Sequence, residues 1–384
     1  MKKCSVADIC GGCQYQGIPY SKQLELKQQK VEKLLGSFGK VEPIIGCDDP
    51  YHYRNKVQVS FGQDHKGRIL MGNYVPSTHT IVPVRECQIA SNIANEIFNY
   101  IFTLIKSFKL TVFDEQGMRG LIRHVLVRCS KDEEEVMVVI VTGSPVFPKK
   151  KDFMKALLDR FPNITTIVQN VNNRHTSMIL GERNITWYGK GYIVDELCGL
   201  EFYISPHSFY QVNHDQTEKL YATAKKFANI QGNETVLDAY CGIGTIGMTF
   251  ADEVKKVIGV EINEAAVKDA VKNAKHNGLD NMEFYCEDAG RFMSRYATEK
   301  KKIDIAIMDP PRKGADNRFL SSLVKMDPEK IVYISCNPVT LKDNLHYLTK
   351  TGYVVTRIQP LDMFPFTDHV ETVCLLGRRK PDRT

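Results

Sequence analysis

The 384-residue sequence predicts an α/β protein: its C-terminal half reads as a doubly wound, mostly parallel sheet, preceded by a cysteine-rich segment and an α+β region. Three observations carry that expectation. After about residue 205, short apolar runs alternate with helix-length segments, as parallel sheets require. A glycine-rich turn follows the first of those runs. Before residue 200 the apolar runs are also strand-sized but follow no such alternation.

Residues 1–18 are rich in glycine and cysteine and read as irregular, and the opening MKKCSVADIC lacks the apolar stretch of a secretory signal. Residues 20–37, YSKQLELKQQKVEKLLGS, read as an amphipathic helix with Leu24, Val31, Leu34 and Leu35 on one face. Residues 1–50 are thus a cysteine-rich segment with a helix. From 51 to 204 the runs VQVSF, ILMGNYV, IRHVLVR and VMVVIVTG, with helical stretches near 91–107 and 151–160, indicate an α+β domain. VMVVIV is the longest apolar stretch and is far too short to cross a bilayer, so a cytoplasmic protein with no membrane partner is expected. From 205 to 384 the strands are expected at ETVLDAY, KKVIGVEI, MEFYCED, KIDIAIMDPP, KIVYISCNP, YVVTRIQPLDMF and ETVCLLGRR. No helix separates the last two, which suggests an antiparallel edge.

The net charge of +6, with lysines crowded into the first forty residues, is compatible with a polyanion partner without requiring one. Eleven cysteines in a reducing compartment point to metal ligation, catalysis and core packing rather than disulfides. Cys4, Cys10 and Cys13, spaced C-x5-C-x2-C, and the distant Cys87 form a candidate four-thiolate site. Their spacing leaves tetrahedral zinc and a [4Fe–4S] cluster equally open.

In DAYCGIGTIG at 238–247, Gly242, Gly244 and Gly247 let the backbone turn tightly against a ligand, and Glu261 ends the next strand where it can accept bonds from two ribose hydroxyls. The pair suits a dinucleotide or S-adenosylmethionine. In IAIMDPPRKG at 305–314, two prolines after Asp309 impose a rigid lip that a dinucleotide site has no need of; Arg312 and Lys313 stand beside it as candidate phosphate contacts. The run IVYISCNP at 331–338 places Cys336 at the carboxyl edge of the sheet. A thiolate there can add to C6 of uracil and make C5 nucleophilic, after which a general base must remove the C5 proton. Glu371, in TDHVETV, is the candidate base, with His369 its competitor.

The set SFYQVN at 208–213, DAYCGIG, VEIN, DPPRKG, YISCNP and HVETV, in this order, closely resembles the RNA uracil-C5 methyltransferases, from Cys4 to about Arg378. The resemblance implies a Rossmann-like class I methyltransferase domain with S-adenosylmethionine contacted by Gln211, Tyr240, Glu261 and Asp309, and Asp288 facing the adenine. It implies Cys336 as nucleophile and Glu371 as the base. It favours a [4Fe–4S] cluster on Cys4, Cys10, Cys13 and Cys87, because the ribosomal-RNA branch carries CGGCxxQ, and so implies 23S rRNA as the partner of a monomeric enzyme. The cluster is expected to tie the N-terminal segment to the central domain. Tyr240 and Thr245 stand where some members have Phe and Asn, and only three residues precede Cys4 where many ribosomal-RNA members carry a small β-barrel domain, so the resemblance implies either a form naturally without that domain or a shortened sequence. A tRNA substrate is the alternative; a nicotinamide-dependent oxidoreductase leaves the DPPR lip and Cys336 without a role.

Overall fold

The runs VLDA, VIGV, IAIM and IVYIS are buried on both faces, so only a sheet covered by helices on both sides accommodates them. In the computed structural model, which describes residues 3–379 except 77 and 79, they form such a sheet. From edge to edge its strands are Met282–Cys286, Lys256–Glu261, Thr235–Ala239, Ile305–Met308, Lys330–Ser335, Glu371–Arg378 and Tyr353–Leu361. The first five are parallel. The antiparallel element goes one strand deeper than chain order suggests: Glu371–Arg378 inserts between Lys330–Ser335 and Tyr353–Leu361 and opposes both. Strand order reverses between Thr235–Ala239 and Ile305–Met308, which opens a crevice at their carboxyl ends.

The central sheet runs Ile81–Pro83, Ile69–Tyr74, Lys56–Gln63, Ile122–Cys129, Val136–Thr142, Ile164–Val171 and Arg183–Tyr188. Only Val136–Thr142 and Ile164–Val171 pair in parallel, joined through the helix Lys150–Arg160. That helix and Asn92–Ser107 bring Phe153, Leu157, Ile97 and Ile101 onto one apolar cluster with the sheet. Ile164–Val171 was not expected from the sequence, because buried Thr166, Gln169 and Asn170 break its apolar pattern; Gln169 Nε2 donates to Thr142 Oγ1 at 2.8 Å. The hairpin Ile193–Leu197 and Leu200–Ile204 was also missed. Its Phe202 and Ile204 share one core with Val139 of the central sheet and Leu220 of the helix His214–Ala228, so packing continues across residue 204.

The N-terminal helix is Tyr20–Leu35; Val31 and Leu35 of the expected apolar face are buried, Leu24 and Leu34 are half-buried, and Gln23 and Lys27, not expected, complete the buried stripe. It packs on the helix Pro338–Lys350 and the strand Tyr353–Leu361. Residues 41–45 continue along that edge strand through parallel bridges, and Glu42 takes Arg357 bidentately at 2.6 and 2.9 Å. An otherwise open sheet edge is thereby covered. The N-terminal segment therefore joins the C-terminal sheet through its helix, while its cysteines reach the central sheet. No helix among the described residues is long and apolar enough to cross a membrane.

Candidate active site

Leaving Thr235–Ala239, the chain turns through Tyr240 at φ +64°, a left-handed conformation rare for a bulky residue, and then Gly242 and Gly244 at +56° and +86°. Asp238 Oδ2 accepts the Gly247 N–H at 2.7 Å and closes the loop, and a Cβ at Gly247 would stand 2.7 Å from that oxygen. Asp238 Oδ1 is buried without a protein partner. Burial above all, with Asp309 and Glu261 nearby, pushes Asp238 up to about 7. Glu261 accepts the N–H of Gly242 at 3.2 Å and of Asn263 at 2.8 Å through separate oxygens, which leaves further lone pairs for hydroxyl donors.

Across the crevice, the Asp309 N–H reaches the Ala239 carbonyl at 3.4 Å. Asn337 Nδ2 and Thr340 Oγ1 both donate to the Arg312 carbonyl, at 3.0 and 3.1 Å, so the DPPR lip and the loop after Cys336 form one unit. The register that pairs Ser335 with Thr372 brings Cys336 opposite Glu371 at the sheet's end. Burial, then the carboxyls of Glu371 and Asp309, push the Cys336 thiol up to about 11, and Arg312 opposes them. Glu371 is 3% exposed; burial and Asp309 raise it to about 8, again against Arg312. Burial raises Asp309 to about 7. The Arg312 guanidinium donates to His369 Nε2 at 2.7 Å, and burial followed by this neighbour lowers the imidazole's affinity for a proton.

Gln211 is buried just ahead of the helix His214–Ala228, its carbonyl accepting from Asn55 Nδ2 at 3.1 Å. The Tyr240 ring packs on Phe319 with centroids 5.4 Å apart. Asp288 Oδ1 caps the helix Ala289–Thr298 through the Arg291 N–H at 3.0 Å, which leaves its other oxygen for a ligand. Sequence reading missed Asp238, Asn337 and Thr340. Asp238 stands at the head of the glycine motif and was legible there; the link from Asn337 and Thr340 to Arg312 spans 25 and 28 residues and left no local signal.

Cys4, Cys10, Cys13 and Cys87 line a single cavity of about 410 Å³, together with Arg54 and Lys56. Asn73 Nδ2 donates to Cys10 Sγ at 3.4 Å, and Arg54 Nε is buried without a partner. No three of the four sulfurs lie mutually within 4.8 Å. A Zn–S bond of about 2.3 Å requires sulfurs about 3.8 Å apart in a tetrahedron. The four thiols share one cavity with two cations, and a four-thiolate centre of either kind, zinc or cubane, would place net negative charge there.

Residues 191–379 match the family model described as tRNA (Uracil-5-)-methyltransferase. Proteins named uncharacterized RNA methyltransferase are similar over most of the chain. One from Staphylococcus aureus is 40% identical over 379 residues, covering 97% of this chain and 83% of its own length. Another from Clostridium tetani is 38% identical over 377 residues, covering 97% and 82%. Among solved structures, the Pyrococcus abyssi tRNA (uracil-54, C5)-methyltransferase in complex with S-adenosyl-L-homocysteine superposes with a TM-score of 0.80 at 29% identity, covering 96% of this chain and 86% of that one.

Proposed function

The chain belongs to the RNA uracil-5-methyltransferase family and is an S-adenosylmethionine-dependent RNA methyltransferase; from that premise we propose that it methylates C5 of a uridine in 23S rRNA through a covalent bond between Cys336 and uracil C6. The observation that carries the proposal is the proximity of Cys336, one residue past the paired Ser335, to Glu371, which precedes the paired Thr372, with Asp309 and Arg312 beside them. Residues 205–384 are the catalytic unit in this reading and 51–204 the RNA-binding one.

Gln211, Tyr240, Glu261, Asp288 and Asp309 would hold S-adenosylmethionine, which supplies an electrophilic methyl group. Donor chemistry supports the fit: Glu261 and Asp288 keep free acceptor positions, and Asp238 and Gly247 fix the loop between them. Cys336 gives its thiol proton to solvent, Arg312 offsetting the charge left behind, and the thiolate forms the S–C6 bond while the C5–C6 π pair moves onto C5 and O4, making C5 nucleophilic toward the methyl. Glu371 then takes the C5 proton, and the released pair re-forms C5–C6 as the S–C6 bond breaks. A base held near 8 is well matched to that transfer at neutral pH. Arg312 favours the ionised form of both reacting groups.

The four cysteines would hold a [4Fe–4S] cluster with a structural role, its negative charge met by Arg54 and Lys56. The cysteine set favours ribosomal RNA. The likeness to a tRNA uracil methyltransferase favours the second reading, a tRNA substrate.

The test is incubation with S-adenosylmethionine and either 23S rRNA or tRNA transcripts carrying 5-fluorouridine. Fluorine cannot leave C5 as a proton does, so a methylated adduct on the peptide containing Cys336 is expected with the ribosomal transcript. An adduct with tRNA alone moves the substrate to the second reading. No adduct with either, cofactor binding being intact, refutes the covalent mechanism. Anaerobically purified protein is expected to contain four irons per chain, as a cubane requires; stoichiometric zinc would refute the cluster.

A further inference from the structure

Residues 362–370 lead into Glu371, and they are held largely from the first part of the chain. Lys27 and Asp362 are both fully buried, and Lys27 Nζ donates to Asp362 Oδ1 at 2.5 Å and to the Phe364 carbonyl at 3.0 Å. The Tyr20 hydroxyl donates to Asp362 Oδ2 at 3.0 Å. One helical turn along from Tyr20, Gln23 Oε1 accepts the Phe366 N–H at 2.8 Å, while the Phe366 carbonyl accepts the Tyr15 N–H at 2.9 Å. Lys30 Nζ donates to the Asp368 carbonyl at 2.8 Å.

The conformation so held is not one the loop favours. Phe366 stands at φ +66°, a left-handed backbone that a bulky side chain adopts only at a cost, and such strain persists only where surrounding structure imposes it. Gln23 and Tyr15 take both backbone polar groups of that residue. A buried ammonium–carboxylate pair adds little stability over an apolar pair of similar volume. What Lys27 supplies is geometry, because one ammonium fixes both ends of the turn 362–364.

We infer that Lys27 and Gln23 are positioning residues for Glu371: from the N-terminal helix they lock the 362–370 loop in the strained conformation that delivers the Glu371 carboxyl opposite Cys336. The inference rests on the reading of Glu371 as the base. It also gives the buried polar stripe of the helix, Gln23 and Lys27, a role that an apolar stripe could not fill.

Two variants test it. Gln23→Met removes the acceptor for the Phe366 N–H at nearly constant volume. The double variant Lys27→Met with Asp362→Leu removes the ion pair without leaving a lone buried charge. Both are compared with wild type and Glu371→Gln in single turnovers on the transcript, ribosomal or transfer RNA, that wild type methylates, labelled with 5-tritiated uridine. Tritium release, covalent protein–RNA adduct and S-adenosylmethionine affinity are read together. Tritium release is expected to slow by about 100-fold, the effect of a displacement on the order of 1 Å at a reacting group. Adduct accumulates and cofactor affinity holds. Variants that release tritium at the wild-type rate, while Glu371→Gln does not, overturn the inference. Loss of cofactor affinity in step with turnover assigns these residues to general folding and overturns it as well. A Glu371→Gln enzyme that itself releases tritium normally removes the premise instead, a result distinct from the other two.

Discussion

The two seven-stranded sheets put buried polar residues to different uses. In the central sheet the buried arginines are tied chiefly to backbone: Arg128 donates to the carbonyls of Ser205 and Ser208 at 3.1 and 2.9 Å, and Arg123 to those of Asn172 and Arg174 at 2.8 and 2.9 Å. In the C-terminal sheet Asp238, Asp309 and Glu371 crowd the carboxyl ends of the strands and are each held well above the usual carboxylate range by burial. Charge matched to backbone acceptors specifies a structure, whereas carboxyls crowded against one another hold protons ready to move. Polar burial alone does not mark a site; polar burial with poor charge compensation does.

The largest effect expected from this contrast is at Cys336. Cys336→Ala should lower turnover by about 10⁴-fold or more, as loss of a nucleophile does elsewhere. Cofactor affinity should hold, because the thiol is only half-buried and lies at the end of its strand. Turnover and S-adenosylmethionine titration measure the two. Loss of both together would make Cys336 a packing residue and break the comparison at its centre.

Phe153→Ala probes the other sheet. Phe153 is fully buried against Phe147, ring centroids 5.1 Å apart, and its truncation should cost about 3–5 kcal/mol of unfolding free energy. The protein that remains folded should bind S-adenosylmethionine as wild type does. Denaturant midpoints and cofactor titration check this. Weakened cofactor binding would show that the core shared across residue 204 couples the sheets more tightly than their chemistry suggests.

The same contrast explains what could be read from the sequence. That the glycine turn, DPPR and SCNP follow strand ends was legible because each sets a strand-length apolar run directly before its motif; Glu371 was legible only through the base that Cys336 would require, and the structure puts it at the start of a strand beside that edge. The strand Ile164–Val171 was not, since its polar residues face partners many residues away. The helix Tyr20–Leu35 was located correctly and Val31 and Leu35 of its expected apolar face are buried; what apolar periodicity could not show is that Gln23 and Lys27 are buried beside them, because the 362–370 loop presents them with acceptors and an N–H. Asp362 lies 335 residues beyond Lys27, and nothing in the helix itself signals such a partner.

The smallest expected effect sharpens the electrostatic half of the comparison. In the unfolded chain Glu371 ionises near 4.5, and in the folded protein near 8. Between those values the folded state keeps a proton that the unfolded state has released, so this group makes wild-type stability fall as pH rises. The slope is at most about 1.4 kcal/mol per pH unit, and it vanishes below 4.5 and above 8, where both states carry the same number of protons. Glu371→Gln has no proton to lose. Relative to wild type it should therefore gain stability steadily from pH 5 to pH 8, while losing the proton-removal step for which the carboxyl is proposed. Unfolding midpoints of both proteins across that range measure the gain, with Phe153→Ala, whose deficit should not depend on pH, as the internal reference. A pH-independent difference at Glu371 would mean that its carboxyl ionises normally when folded, and burial in the C-terminal sheet would then be no different in kind from burial in the central one.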